Sequence, residues 1–230
     1  MKFEDRPEVK QHYNGQKCLR MARIFMDRAS EAGIPDAYQR INKETFRSYL
    51  FSDYHKGDSA DRITDLIYDT PEALFKIPFI LIDGGDPIGR KKAGYAILFR
   101  LILFDKIARS IFCKDLASRL ETYTSDRDDT LVRIDLVADL ALYDAVFVEE
   151  FYPSIFNINR DGGGLMDSLI DERVRRTRPT IISFAGAISP ITEAGCGRYM
   201  ADLLNKEYPN SQDHSINPSA DILRVRIKKS

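Results

Sequence analysis

Apolar positions follow two different rules along this chain. In the first third they are spaced one at a time among charges. From Glu8 to Ala32, Val9, Tyr13, Leu19, Ala22, Phe25, Met26 and Ala29 recur at roughly helical spacing, and the run closes on Gly33-Ile34-Pro35. That spacing predicts an amphipathic helix, broken near Asn14-Gly15 and ended by a turn. Between Tyr38 and Asp69 the chain is polar with isolated aromatics (Phe46, Tyr49, Phe51, Tyr54), which predicts short helices and loops.

From Lys76 onward the apolar residues come in short continuous runs. Ile77 to Ile82 is one, ending in Asp83-Gly84-Gly85-Asp86-Pro87-Ile88-Gly89. A run of this length bounded by glycines reads as a strand buried on both faces. Arg90 to Phe104 has no proline and carries apolar residues all along it, predicting a largely buried helix. Further strands are predicted at Ser110 to Cys113, at Ala145 to Val148 ending in Glu149-Glu150, at Thr180 to Phe184, and at Ile222 to Ile227. Helices are predicted between them, over Asp115 to Tyr123, Leu131 to Leu142, from Gly162-Gly163-Gly164 through Arg176, and over Thr192 to Lys206. Strands separated by helices demand right-handed crossovers and a mostly parallel sheet covered on both faces. The expected fold is a three-layer α/β domain. Residues 1–35 form an N-terminal amphipathic extension, 36–73 a helical and looped lead-in, and 74–230 the α/β core.

Composition narrows the class without naming a function. The chain has 230 residues, 34 Lys plus Arg against 35 Asp plus Glu, 43% hydrophobic and 30% charged residues. This is a globular composition, far from the disordered classes. A net charge of -1 argues against nucleic-acid binding by bulk attraction and leaves local basic patches open. The longest apolar stretch, Ala93 to Phe104, is interrupted by Arg100 and is too short to span a membrane. Met1 to Pro7 has no apolar core, so no secretory leader is expected and the expected compartment is the cytoplasm. Cys18, Cys113 and Cys196 are scattered and odd in number, as are His12, His55 and His214. A disulfide framework, a zinc site and a Ser/His/Asp triad all lack support.

Ligands of open parallel sheets bind at the carboxyl ends of strands, which directs attention to the glycine turn. A phosphate-binding loop reads G-x-x-x-x-G-K-[ST], in which backbone N–H groups wrap the phosphates, Lys meets the β/γ oxygens and the hydroxyl holds Mg²⁺. Here Gly84, Gly85 and Gly89 keep the glycine spacing, but Arg90 stands in place of the lysine and Lys91 in place of the hydroxyl. Asp86 adds a negative charge inside the loop, and Pro87 removes an N–H donor. The complementary half of a nucleotide site is a strand ending in two acids, one for the metal and one for the attacking water. Glu149 and Glu150 supply that pair, Glu149 as metal ligand if Mg²⁺ binds and Glu150 as the catalytic acid if the site is active.

Four segments then resemble the helicase-loader branch of the AAA+ ATPases, the DnaC/DnaI type, which includes the IstB transposition helpers. Ala32-Gly33-Ile34-Pro35-Asp36-Ala37-Tyr38 is similar to the "GIP-x-x-Y/F" lead-in of these proteins. Tyr143 to Glu150 resembles their "DLLVIDD/E" strand, and Arg178-Pro179-Thr180-Ile181-Ile182-Ser183 their "kPTIITSN" strand. Cys196 to Leu203 resembles the "ERI-x-x-RL" helix. The resemblance implies an AAA+/P-loop-type core, ATP with Mg²⁺ as cofactor, oligomerisation, a replicative helicase or another AAA+ protein as partner, and contact with single-stranded DNA. On this alignment Ala185 replaces the sensor asparagine, Arg198 matches an inter-subunit arginine, and Asp202 replaces the next one. The departures gather at one site, which implies a degenerate member with little or no ATP hydrolysis. The alternatives are an active ATPase loader with a shifted loop, and an IstB-like ATP-dependent transposition helper.

Two basic groups remain. Arg173, Arg175, Arg176 and Arg178 sit near a predicted helix end, where they would offset the helix dipole or contact DNA phosphates. Arg224, Arg226, Lys228 and Lys229 alternate along the last strand, as charges that protect a sheet edge do, or as a nucleic-acid patch would. Tyr152 and Phe156 could stack on bases or pack locally. Cys113 and Cys196 read as small buried hydrophobes.

Overall fold

The computed structural model describes residues 20–50, 58–84, 86–116, 118, 138–152, 169, 172–184 and 222–228. Five strands, β1 (Phe79–Gly84), β2 (Ala108–Phe112), β3 (Ala145–Phe151), β4 (Thr180–Phe184) and β5 (Ile222–Ile227), form one sheet in the order β2-β3-β4-β1-β5. Every pairing is parallel. The expected parallel α/β sheet is present. Its order follows from the crossovers: the chain leaves β1, passes over β4 and β3 to reach β2, then steps back through β3 and β4 before crossing β1 to β5.

Four helices precede or follow β1: α1 over residues 20–31, α2 (Lys43–Tyr49), α3 (Asp58–Tyr68) and α4 (Pro87–Leu103). Helix α4 makes the β1-to-β2 crossover and packs on β1, β4, β3 and β2, while its outer side meets α2 and α3. It is covered from both sides, and from Ala93 on only Arg100 interrupts its apolar residues. The β2-to-β3 and β3-to-β4 steps run the opposite way along the sheet. Helical turns at 113–116, 138–142 and 172–175 belong to these connections.

One hydrophobic core joins the lead-in to the sheet. Ala29, Ile34, Phe46, Ile63, Ile67 and Leu74 lie in the same buried cluster as Ile80, Ile97 and Phe147. The edges are tied down as well. Ser110 of β2 donates its N–H to Ala32 O at 2.8 Å, and Lys228 after β5 donates to Tyr49 O at 3.0 Å, beside a single antiparallel bridge between Leu50 and Ile227.

The elements depart from the sequence expectation in several places; β3, for one, runs through Glu149 and Glu150 to Phe151, past the expected end at Val148. β1 starts at Phe79 because residues 71–76 form a 3₁₀ helix whose last turn is closed by Ile77 N–H on Leu74 O. β2 runs from Ala108 to Phe112, and Cys113 already begins the next helical turn. Helix α4 starts at Pro87, well before Arg90, because Asp86 caps it and proline suits the first helical position. The expected helix 192–206, the Gly162–Gly164 turn and residues 8–19 lie outside the described residues.

Candidate functional site at the carboxyl ends of β1 and β3

The glycine turn is shorter than a phosphate loop. Gly84 closes β1 with φ +128°, and Asp86 is already the N-cap of α4, its Oδ1 accepting the Ile88 N–H at 3.0 Å. Gly89 and Arg90 therefore lie in the first turn of the helix instead of in a loop. The carboxylate of Asp86 holds the helix N-terminus, the place where an anion would bind. Gly85 lies outside the described residues.

The four charged residues expected at a nucleotide site do converge, and they pair with one another. Arg90 is folded back with its side chain only 4% exposed; Nη1 donates to Gly84 O at 2.5 Å and Nη2 stands 3.5 Å from Glu150 Oε2. Lys91 Nζ lies 3.2 Å from Glu149 Oε2. Arg90 and Glu149 are buried while Glu150 and Lys91 reach solvent in part, so water screens the two pairs less than it would at the surface.

The acid pair is aimed by a local irregularity of β3. The β3–β4 register shifts between Val148 and Phe151, and Glu150 has φ +52°, a left-handed backbone for a non-glycine residue. Its N–H donates to Ser183 Oγ of β4 at 2.9 Å. A bulge and an unusual φ persist only where the surroundings enforce them, and they gather at functional sites. Glu149 points the other way, where it accepts a hydrogen bond from Tyr95 Oη. Burial first, then the Glu149 carboxylate, drives the Tyr95 phenol well above its ordinary value, so it stays protonated and donating. Its ring stacks on Tyr38 (centroids 5.1 Å apart, planes at 11°) and meets Phe147 edge-on at 5.4 Å. Tyr38 thus links the Gly33-Ile34-Pro35 segment to the acid pair. A cleft of about 300 Å³ opens beside Glu149, lined among others by Gly33, Tyr95, Ser110, Asp115 and Asp139.

Two of these residues were missed in the sequence. Resemblance directs attention to Ala185, yet Ser183 is the side chain that reaches the acid turn. Its signal was a serine inside a buried apolar strand. Tyr95 carried a similar signal, a single hydroxyl within an apolar helix.

As arranged, these residues do not fit a magnesium nucleotide. The helix N-terminus is capped by a carboxylate, both cations are engaged by the acids, and no hydroxyl follows Arg90. Among the described residues no group of three or more His, Cys, Asp or Glu could hold a metal ion. Among the same residues no helix is long and apolar enough to cross a membrane.

The basic cluster requires a correction. Arg173 is fully buried and makes no surface patch. Its guanidinium donates to Thr180 Oγ1 (2.8 Å), Leu140 O (2.8 Å), Tyr143 O (2.9 Å) and Pro179 O (2.7 Å). A side chain spent on carbonyls inside the fold cannot meet a phosphate. Arg175 and Arg176 are exposed, Arg176 with Nε 2.6 Å from Glu172, while Arg178 is half-buried and donates to Ala141 O. Arg198, Ala185, Phe156 and Cys196 lie outside the described residues.

The chain is similar in structure to AMPPCP-bound DnaA from Aquifex aeolicus, with a TM-score of 0.49, 9% identity, and coverage of 82% of this chain and 50% of that one. It is also similar to the DnaC helicase loader, with a TM-score of 0.47, 14% identity, and coverage of 83% and 99%. It spans half the length of the DnaA chain and nearly all of the DnaC chain. No protein-family model matches the sequence, and no curated protein matches it.

Proposed function

We propose that this protein is a helicase-loader-like replication protein that binds a replicative helicase or a related AAA+ partner and acts through assembly, with little or no ATP hydrolysis of its own. The observation that carries this reading is the double pairing of Arg90 with Glu150 and Lys91 with Glu149. The side chains that would bind and activate a nucleotide neutralise each other, on a parallel sheet whose motifs resemble those of the loaders. The amphipathic segment preceding Ala32 and the surfaces flanking the sheet are the places for partner contact.

Calorimetry with ATP, with and without Mg²⁺, together with turnover measurement, tests the nucleotide half of the proposal. The expected result is no Mg²⁺-dependent binding and background hydrolysis. Tight Mg²⁺-dependent binding with turnover that disappears in Glu150→Gln would defeat it. A pull-down from the source organism followed by mass spectrometry tests the partner half. Recovery of the replicative helicase is expected, and recovery of a transposase in its place would favour the transposition-helper alternative.

A further inference from the structure

Arg90 presents its two edges to different partners. The Nη1 side is fixed on Gly84 O at 2.5 Å. The other edge, made by Nε and Nη2, is the side-on fork with which a guanidinium grips a carboxylate or phosphate through two parallel bonds. In this protein that fork is half used. Nη2 has Glu150 Oε2 at 3.5 Å, whereas Nε is buried without an acceptor. A buried donor left unmade is costly, and it is most costly on a charged group. Glu150 reaches this position from a bulge, on a backbone with φ +52°, held by Ser183 Oγ.

We infer that the Nε–Nη2 edge of Arg90 is an anion seat of phosphate type, and that Glu150 is its internal occupant, a carboxylate that stands in for the phosphate and keeps it out. Asp86 closes the helix N-terminus independently, so the seat is the guanidinium and not the helix end. This inference rests on the reading of the pocket as a nucleotide site whose charges are paired internally, and it adds that the pairing is an autoinhibitory contact. Glu150→Gly leaves a buried fork with two donors and no acceptor, Glu150→Gln leaves it with a neutral amide oxygen in place of an anion, and a phosphate oxygen pair satisfies both donors.

Sodium pyrophosphate and ATP, each in EDTA, are titrated into the wild type, Glu150→Gln and Glu150→Gly. The glycine variant suits the left-handed backbone and guards against misfolding of the first. Because a guanidinium holds a phosphate through two charge-assisted bonds, both variants are expected to bind at least one probe about tenfold or more tightly than the wild type. Adding Arg90→Met should abolish the gain. Gain with both probes identifies a seat for phosphate as such, and gain with ATP alone a seat for the nucleotide; either upholds the inference. Folded Glu150 variants that bind neither probe better than the wild type overturn it, while the reading of a non-hydrolysing protein stands. A gain that survives Arg90→Met also overturns it. Tight Mg²⁺-dependent binding and turnover by the wild type removes that reading, and this inference with it.

Discussion

The carbonyl oxygen of Ile227 occupies the space that a side chain on Gly84 would need: a Cβ placed there falls 2.1 Å from it. Gly84 and Ile227 are partners across the β1–β5 pairing, and Gly84 has φ +128°. Gly89 is confined by the same residue, its would-be Cβ 2.6 Å from Ile227 Cγ2. The two outer glycines of the turn therefore have a structural purpose, the close seating of the C-terminal strand. Gly84→Ala combines a forbidden backbone with a backbone clash and is expected to cost about 3 kcal/mol or more. Gly89→Ala keeps an ordinary helical backbone and meets side-chain atoms only, Ile227 Cγ2 and the Asp86 carboxylate, so a smaller cost of about 1–3 kcal/mol is expected. Urea unfolding of the two variants checks the order, and equal costs would contradict this account of the seam.

Arg173 is a staple between the starts of β3 and β4. Its four close acceptors lie on residues 140, 143, 179 and 180, and no carboxylate is among them. Burial, with the nearby Arg178 adding repulsion, pulls its pKa down to about 9, so at neutral pH it is still charged and donating. Arg173→Met leaves several buried carbonyls without donors and is expected to destabilise by about 3–5 kcal/mol. Arg173→Lys, with three donors in a different geometry, should recover part of that loss. Urea midpoints give both values. A DNA-contacting arginine would instead change nucleic-acid affinity at unchanged stability.

How much of this was legible beforehand depends on whether the signal was local. Strand β4 occupies Thr180–Phe184, as its continuous apolar run predicts for a strand covered on both faces, and β5 occupies Ile222–Ile227, as its alternation of apolar and charged residues predicts. Helix α4 begins early for a reason that was also written locally: Asp86-Pro87 is a cap followed by a proline suited to the first helical position, a stronger signal than a glycine template with altered chemistry. The acids Glu149 and Glu150 lie inside β3, which runs on to Phe151 through a bulge, where the sequence placed them just past the strand's end at Val148. Their partners were not legible, since which cation meets which acid depends on β4 lying between β1 and β3 and on the bulge after Val148. Arg173 was misread because a helix-end arginine cluster looks solvated until the packing of residues 140–144 against it is known.

Tyr95 and Lys91 share one acceptor, the buried carboxylate of Glu149. Each supplies a donor that the other cannot fully replace, so loss of either should raise the worth of the survivor. Tyr95→Phe is expected to cost about 1–2 kcal/mol. Lys91→Ala, which gives up a partly exposed ion pair, should cost about 1 kcal/mol or less. The double variant should exceed the sum by about 1 kcal/mol, because Glu149 then has neither donor. A double-mutant cycle by urea denaturation measures the excess, and strict additivity would show that the two donors act independently.

Cys113 gives the fold an alkaline limit. The residue is fully buried just beyond β2, and burial pushes its thiol up from 9.0 to about 12, a shift that a hydrogen bond with the Tyr152 backbone only partly offsets. Between those values the unfolded chain has released a proton that the folded chain still holds. Stability must therefore fall as pH rises from 9 toward 12, and must be unaffected by this group below that window. Comparison with Cys113→Ala isolates the effect, because other alkaline groups act equally on both proteins. The gap between their urea-derived stabilities should be constant from pH 7 to 8 and then move against the wild type by up to about 1.4 kcal/mol per pH unit. A gap that stays flat up to pH 10.5 would mean that this thiol ionises as readily in the folded chain as in the unfolded one.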